Sequence, residues 1–157
     1  RGRSARVAAS SAVLAALPYY AYHPFGVEQR RADTIRRVAA MAANLERLAD
    51  APLDEAYRRM TAIPGIGPWT AAEVATRALG DADGVSVGDC HLPNLVAWAL
   101  AGEPRADDAR MLELLEPWRP VDGRPGQRGR VIRLLKASGL SAPRRGPRLA
   151  PRSIARI

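Results

Sequence analysis

The stretch Ile63-Pro64-Gly65-Ile66-Gly67 separates two helical patterns and decides the fold expected for this chain. Residues 53–62 and 68–79, on either side of it, carry apolar side chains at helical spacing, which predicts a helix, a tight turn and a second helix. Ile63 and Ile66 are expected to be buried between these helices. Glycines let the backbone turn tightly and remove side chains that would keep a partner away.

The amides of such a turn, and of the first turn of the following helix, point outward together. They form a small electropositive site suited to one phosphate group. The same pattern also fits an ordinary turn between two antiparallel helices. We favour phosphate binding because the sequence that follows the helix 68–79 also fits such a site, as described below.

The pattern of apolar residues is helical along most of the chain, which predicts an all-α fold. The predicted helices are 28–49, 53–62, 68–79, from after Asp89 to about 100, 107–116 and 128–138, with a loop at 81–88. The second of them is expected to turn Leu53, Ala56, Tyr57 and Met60 inward. No strand and no internal repeat is evident. From Ser141 onward Pro and Arg dominate, so residues 141–157 are expected to be an extended or disordered tail.

Composition fits one soluble domain and gives weak evidence for a polyanionic partner. The net charge is +8, but five of these charges are arginines of the tail, namely Arg144, Arg145, Arg148, Arg152 and Arg156. The single cysteine, Cys90, excludes an intramolecular disulfide, a four-cysteine zinc site and an iron–sulfur cluster, and the cytoplasm is the expected compartment. The longest apolar runs, such as 95–101, are far too short to span a membrane. Residues 1–16 lack a clean cleavage site, so we expect an internal starting point rather than a signal peptide.

The sequence alone suggests structural roles for several polar residues that follow the glycine turn. Asp89 precedes a helix and is expected to cap it, a role that contributes about 1 kcal/mol. Asp81 and Asp83 are expected to form the turn in which they lie. Cys90 is expected to be a small buried residue, and His91 a surface or packing residue. Arg128 and Arg130 could contact phosphate, although charged residues at helix starts are usually just solvated.

Residues 63–72 (Ile-Pro-Gly-Ile-Gly-Pro-Trp-Thr-Ala-Ala), followed by 85–91 (Val-Ser-Val-Gly-Asp-Cys-His), resemble the helix-hairpin-helix DNA glycosylases. Within that superfamily the chain looks most like the alkyl-purine (3-methyladenine type) glycosylases of bacteria, from about His23 to Arg148. The resemblance implies a partial helical bundle of the helix-hairpin-helix glycosylase type, because the early helices of the family fold have no counterpart here. We therefore assign 19–140 to the glycosylase domain, 1–18 to an unassigned segment and 141–157 to the tail.

The resemblance implies a role for each residue that matches the family motif. Asp89 is then the catalytic carboxylate, Gly65, Ile66 and Gly67 bind the DNA backbone, and Trp69 contributes to the base pocket, with Tyr20 and Tyr22 as further walls. The backbone carbonyls of Ile63 and Gly65 would hold a monovalent cation, and no other cofactor is expected.

Trp69 stands where the bifunctional members carry a lysine that attacks the sugar. The only lysine of this chain, Lys136, lies far downstream, so we expect a monofunctional glycosylase that hydrolyses the bond with water. The expected substrate is an alkylated purine in duplex DNA, and the protein is expected to be a nucleoid-associated monomer that does not contact membranes.

Two other functions compete with this one. The main alternative is a truncated, non-catalytic helix-hairpin-helix module that binds DNA. Both functions predict DNA binding that is sensitive to salt, but only the glycosylase predicts base release that depends on Asp89. A basic RNA-binding domain is disfavoured, because no aromatic-rich platform for single strands is evident.

Overall fold

A computed structural model describes residues 9–143, and within them it confirms the all-α prediction, since the only extended pairing is an isolated bridge between Val121 and Arg124. The described residues form two compact units, one of 9–47 with 63–65 and one of 48–62 with 66–143. Among the helices of residues 9–143, none is both long and apolar enough to cross a membrane.

Part of the predicted terminal segments lies outside the described residues. These are 1–8 of the segment 1–18 and 144–157 of the tail, including all five tail arginines. The bounds 1–18, 19–140 and 141–157 stay predictions.

The first unit contains three short helices and a 3-10 segment. They are α1 (Ser11–Ala16), the 3-10 segment Tyr19–Phe25, α2 (Gln29–Ala40) and α3 (Ala42–Glu46). Helix α1 packs against α2, and Ser10 caps it by accepting from the Val13 amide at 3.3 Å. The buried Tyr22 donates its hydroxyl proton to the Leu14 carbonyl at 2.6 Å.

The prediction of one helix over 28–49 is wrong, because the helix is interrupted at Met41. There the amide bonds to the carbonyl of Val38, three residues back, and the backbone leaves helical values (φ −100°, ψ 8°). A further 3-10 turn, Arg47–Asp50, follows α3. Methionine and alanine are both good helix formers, so neither propensity nor periodicity marks the break.

The second unit contains α4 (Leu53–Thr61), α5 (Pro68–Ala78), α6 (Leu92–Ala101), α7 (Asp108–Leu114), a 3-10 turn (Glu116–Trp118) and α8 (Arg128–Ala137). Its core is a cluster of buried side chains from α6, α7 and α8, namely Leu92, Val96, Met111, Leu115 and Ile132. Burying each of them contributes about 1.5–3 kcal/mol. This packing holds α6 and α8 together, and these two helices carry residues of the candidate site described below.

Three predicted details of this unit are corrected. The fifth helix ends at Leu114 rather than at 116, and Pro117 continues the chain in a 3-10 turn, where its missing N–H is tolerated. The fourth helix begins at Leu92, because the residues after Asp89 first form a turn. Leu53 is 40% exposed rather than inward-facing, since it is the first residue of α4.

The loop between α5 and α6 is anchored by its two aspartates, as predicted for turn-forming residues. The buried Asp81 accepts from the Tyr57 hydroxyl at 2.7 Å and from the Asp83 amide at 2.8 Å. Asp83 in turn pairs with Arg128, which donates to it from Nε at 2.9 Å and from its backbone amide at 3.1 Å. The guanidinium of Arg128 is therefore paired with Asp83, and its suggested role as a phosphate contact stays a prediction.

The start of α8 packs closely against the same loop. A Cβ placed on Gly129 would lie 2.5 Å from the carbonyl oxygen of Gly84, so only glycine allows this approach. The Arg130 amide also donates to the Ala82 carbonyl at 2.8 Å. These contacts fix where α8 begins, and with it the position of Lys136 two turns later.

Candidate active site

Asp89 holds the turn that leads into α6, and its carboxylate is half-buried. Oδ1 accepts from the amide of His91 at 2.8 Å and from the amide of Leu92, the first helical residue, at 3.0 Å. The predicted N-cap position is corrected, since His91 is the N-cap of α6 and Asp89, two residues earlier, holds the turn before the helix through these two bonds. Both bonds fall on one oxygen, which leaves Oδ2 available for other contacts.

Trp69 lies against that second oxygen. It is the second residue of α5, directly after the glycine turn, and its indole Nε1 donates to Asp89 Oδ2 at 3.4 Å. This is a long hydrogen bond, at the weak end of the usual range. The Trp69 side chain is also 42% exposed, so its ring is not committed to the core. An aromatic face and a weakly bonded carboxylate oxygen are thus presented together.

The surroundings of Asp89 keep it ionised. Partial burial opposes ionisation, but the two backbone amides, the Trp69 indole and the charge of Lys136 outweigh it, so that the pKa of Asp89 lies below its usual value. Amides at a helix start favour a negative charge in the same way.

The glycine turn itself has the conformation that the sequence requires. Gly65 adopts φ +99°, and a Cβ at this position would overlap the side chain of Thr34. The neighbouring Pro64 carbonyl accepts from Arg37 Nη1 at 2.6 Å, which ties the turn to α2. Ile63 is buried as predicted, whereas Ile66 is only half-buried.

Within residues 9–143, the start of α5 offers backbone donors that have no acceptor. Gly67 is extended (φ −96°, ψ 177°), Pro68 follows as the first helical residue, and the first bond within the helix joins the Ala71 amide to the Gly67 carbonyl at 3.0 Å. The amides of Trp69 and Thr70 precede that bond and have no acceptor within the helix. They are the donors through which the start of α5 can hold an anion.

The backbone carbonyls suggested for a monovalent cation are those of Ile63 and Gly65, and this assignment stays a prediction. Within residues 9–143 no hydrogen-bond donor reaches the carbonyl oxygens of Ile63 and Gly65, whereas that of Pro64 is taken by Arg37. Carbonyl oxygens are the ligands that hard cations prefer. The same described part of the chain contains no cluster of acidic, histidine or cysteine side chains able to hold a metal ion.

The two tyrosines suggested for the base pocket lie in the first unit and differ in exposure. Tyr20 is 63% exposed and packs edge-on against Tyr19, with ring centroids 5.9 Å apart. Tyr22 is buried, with its hydroxyl bonded to Leu14. Their assignment to a base pocket stays a prediction.

A polar cluster around Glu73 of α5 was missed by the sequence analysis. Glu73, one turn after Trp69 on α5, pairs with Arg77 and accepts from the Ser86 hydroxyl at 2.5 Å. Lys136 of α8 places its ammonium 3.8 Å from Glu73 Oε1. The spacing of Glu73 from Trp69 could have indicated a shared helix face. Nothing local indicates Lys136, because its position depends on how α8 packs.

The residues that follow Asp89 face solvent. Cys90 is exposed, so the prediction of a small buried residue is wrong. The reason is that Asp89 bonds to the amides after it, which folds residues 90 and 91 into a tight turn at the surface. His91 is exposed as expected for a surface residue.

Comparison with known proteins finds a short stretch of similarity. The chain is 38% identical over 68 residues to a probable bifunctional transcriptional activator/DNA repair enzyme AlkA of Mycobacterium tuberculosis, in both strain CDC 1551 and strain H37Rv. The match covers 42% of this chain and 14% of each relative, so the chain spans only a small part of their length. No family model matches the chain. No solved structure matches it either. The chain is thus similar, over less than half its length, to proteins named as DNA repair enzymes.

Proposed function

We propose that this chain carries the catalytic part of a DNA glycosylase that hydrolyses the N-glycosidic bond of alkylated purines in duplex DNA. The observation that carries the proposal is the ionised Asp89 carboxylate, fixed by two amides and set beside Trp69 at the start of the helix that follows the glycine turn. The similarity to proteins named AlkA supports it.

The chemistry requires a negative charge beside the sugar. Breaking an N-glycosidic bond develops positive charge on the sugar, and a fixed carboxylate stabilises this oxocarbenium-like state. Oδ2 of Asp89, with a single long hydrogen bond, is the oxygen free to face C1′ or to orient the attacking water. Because Oδ1 is held by the amides of His91 and Leu92, the carboxylate needs little reorganisation as charge develops.

The base is held by stacking. A flipped purine can stack on the exposed face of Trp69, and an alkylated, cationic purine gains a cation–π term of about 0.5–2 kcal/mol. Such a base is already a good leaving group. It needs little help from a general acid, and water completes the reaction.

The DNA backbone is held near the start of α5. The free amides of Trp69 and Thr70, together with the turn at Gly65, Ile66 and Gly67, would bind one phosphate. Binding should therefore weaken as salt rises.

The test is to incubate the purified chain with duplex DNA treated with a methylating agent. Free base is measured by chromatography, and abasic sites are measured as strand breaks after alkali. We expect both products in equal amounts, with no base released from untreated duplex. Binding to duplex without release of any base would contradict the proposal and identify a non-catalytic DNA-binding module.

Changing Trp69 to Phe should separate stacking from the indole hydrogen bond. The phenyl ring still stacks but cannot donate to Asp89 Oδ2, a bond that is already long. We expect base release to fall only severalfold, whereas Trp69→Ala should reduce it far more, because a stacking contact is worth about 1–3 kcal/mol. Single-turnover rates on one alkylated duplex measure both variants. Equal activity of Trp69→Ala and the unchanged chain would exclude the pocket role.

A further inference from the structure

Two hydrogen bonds join α5 to the segment 86–89, which ends at the candidate catalytic carboxylate. The Trp69 indole donates to Asp89 Oδ2 at 3.4 Å. Glu73, four residues after Trp69, accepts from the Ser86 hydroxyl at 2.5 Å. Four residues of α-helix rise about 6 Å, so the segment is attached at two separate points along one face of α5.

The two hydrogen bonds differ in strength. The bond from Trp69 is long and lies at an exposed side chain. The bond from Ser86 is short and enclosed, since Ser86 is 5% exposed and the side chain of Glu73 is 13% exposed. A hydrogen bond to an ionised acceptor is about twice as strong as one between neutral groups. The bond from Ser86 to Glu73 therefore decides where the segment lies on α5.

The acceptor of this bond is charged and held in place. Arg77 pairs with Glu73 from the next turn of α5, and the Lys136 ammonium lies 3.8 Å from Glu73 Oε1. Burial opposes ionisation of Glu73, but the Ser86 hydroxyl and the two cations outweigh it, so that its pKa lies below its usual value. Glu73 is thus an oriented, ionised anchor on α5.

Little backbone separates this anchor from Asp89. Ser86 lies at the centre of a tight turn, in which the residues on either side of it share a backbone hydrogen bond of 2.9 Å. Gly88 follows with φ +91°, and its amide donates to Asp108 Oδ2 at 3.0 Å. Because only two residues lie between Ser86 and Asp89, a displacement of Ser86 would move the carboxylate as well.

We propose that Ser86 and Glu73 are positioning residues that hold the Asp89 carboxylate against the Trp69 indole. The inference rests on the proposed function, which requires the carboxylate to face the sugar of a nucleotide whose base stacks on Trp69. Neither positioning residue has to touch the DNA. Their contribution is to the rate, because a misplacement of about 1 Å can cost about a hundredfold.

Ser86→Ala removes the hydroxyl and leaves the other attachments of the segment in place. Glu73 keeps its two cations, and the Gly88 amide keeps Asp108, so the chain should fold and bind duplex DNA as before. We expect base release to fall about tenfold to a hundredfold. Single-turnover rates on one alkylated duplex measure this loss, beside thermal unfolding and duplex affinity.

Ser138→Ala is the matched control for the loss of a serine hydroxyl. Ser138 follows α8, and its hydroxyl donates to the Leu135 carbonyl of that helix at 2.7 Å. Its base release should equal that of the unchanged chain.

A spectroscopic measurement tests the placement without DNA. The chain has three tryptophans, so a ¹⁵N-labelled sample gives three indole N–H resonances, and that of Trp69 is identified by its loss in Trp69→Phe. At neutral pH, Asp89→Asn removes the charge beside this indole and should shift its resonance more than the other two. In the Ser86→Ala background the same substitution should shift it less, because the two side chains are no longer held together.

Two substitutions of Glu73 separate its hydrogen bond from its charge. Glu73→Gln keeps an oxygen that can accept from Ser86, whereas Glu73→Ala removes the acceptor. A positioning role predicts that Glu73→Gln retains most of the base release and of the indole shift, and that Glu73→Ala loses both to the extent of Ser86→Ala.

An indole shift of equal size with and without the Ser86 hydroxyl would overturn the inference. Full base release by Ser86→Ala, or equal losses in Glu73→Gln and Glu73→Ala, would overturn it too. The indole measurement does not depend on catalysis. The expected indole shifts in a chain that releases no base would therefore support the positioning role and contradict the proposed function alone.

Discussion

Asp89→Asn is expected to abolish base release while leaving affinity for duplex DNA close to that of the unchanged chain. The asparagine side chain has the same shape, and its oxygen can still accept from the amides of His91 and Leu92, so the turn before α6 should persist. What is lost is the negative charge that opposes the developing charge on the sugar. Removing one preorganised electrostatic group of this kind typically costs about a hundredfold to a thousandfold in rate.

Asp107→Asn is the matched control for this experiment. Asp107 caps α7 and accepts from the Arg110 amide at 2.9 Å, so it has the structural role of Asp89 without the proposed chemical one. Rates of base release are measured under single-turnover conditions on one alkylated duplex, beside thermal unfolding of each variant. If both variants lose activity alike, or if pure Asp89→Asn retains strong activity, Asp89 only holds the turn before α6.

The pH dependence follows from the direction of the pKa of Asp89. Because the folded chain holds this pKa below its usual value, the carboxylate is ionised throughout the neutral range. Asp89 should therefore impose no pH dependence on base release above about pH 5. Its contribution to stability is present above the pKa of the unfolded chain and is lost as pH falls through the lower, folded value.

The features that the sequence predicts well are those set by neighbouring residues. Helices α4 and α5 lie within one residue of their predicted bounds, because Pro52 and Pro68 mark their starts and the glycine turn separates them. The hydrogen bonds of Asp89 were equally predictable, since they need only the amides two and three residues ahead, although the helix itself begins later than expected, with His91 as its N-cap.

The features that escaped prediction depend on packing between distant segments. Lys136 reaches Glu73 only because the start of α8 is held by Asp83 and by the close approach of Gly129 to the loop after α5. The local sequence therefore gave no indication that an amine lies near Glu73. The break at Met41 is similar in kind, because it lies between residues that all favour helix.

Gly65→Ala should strongly destabilise the glycine turn and weaken binding to duplex DNA. Gly65 has φ +99°, a backbone conformation that costs a residue with a Cβ about 1–3 kcal/mol. The new methyl group would also overlap the Thr34 hydroxyl and lie 2.9 Å from Thr34 Cγ2, closer than real side chains approach. The two effects should add, because one comes from the backbone and the other from the neighbouring side chain.

Gly67→Ala provides the comparison within the same turn. A Cβ at Gly67 would meet nothing within 4 Å, and its φ of −96° suits any residue, so its unfolding free energy should stay near that of the unchanged chain. Urea unfolding of both variants measures this difference, and titration of a labelled duplex at fixed salt measures the binding.

Thr34→Ala separates the two causes of the Gly65→Ala defect. It removes the atoms that the new methyl group would overlap, so Gly65→Ala should cost less in that background than in the unchanged chain. A cost of about 1–3 kcal/mol should remain, because the positive φ is still required. Thr34 itself only donates to the Arg30 carbonyl on its own helix, so the single variant should lose little stability.

If Gly65→Ala proves as stable as Gly67→Ala, the turn does not need a glycine conformation, and the proposed phosphate site at this turn loses its structural basis.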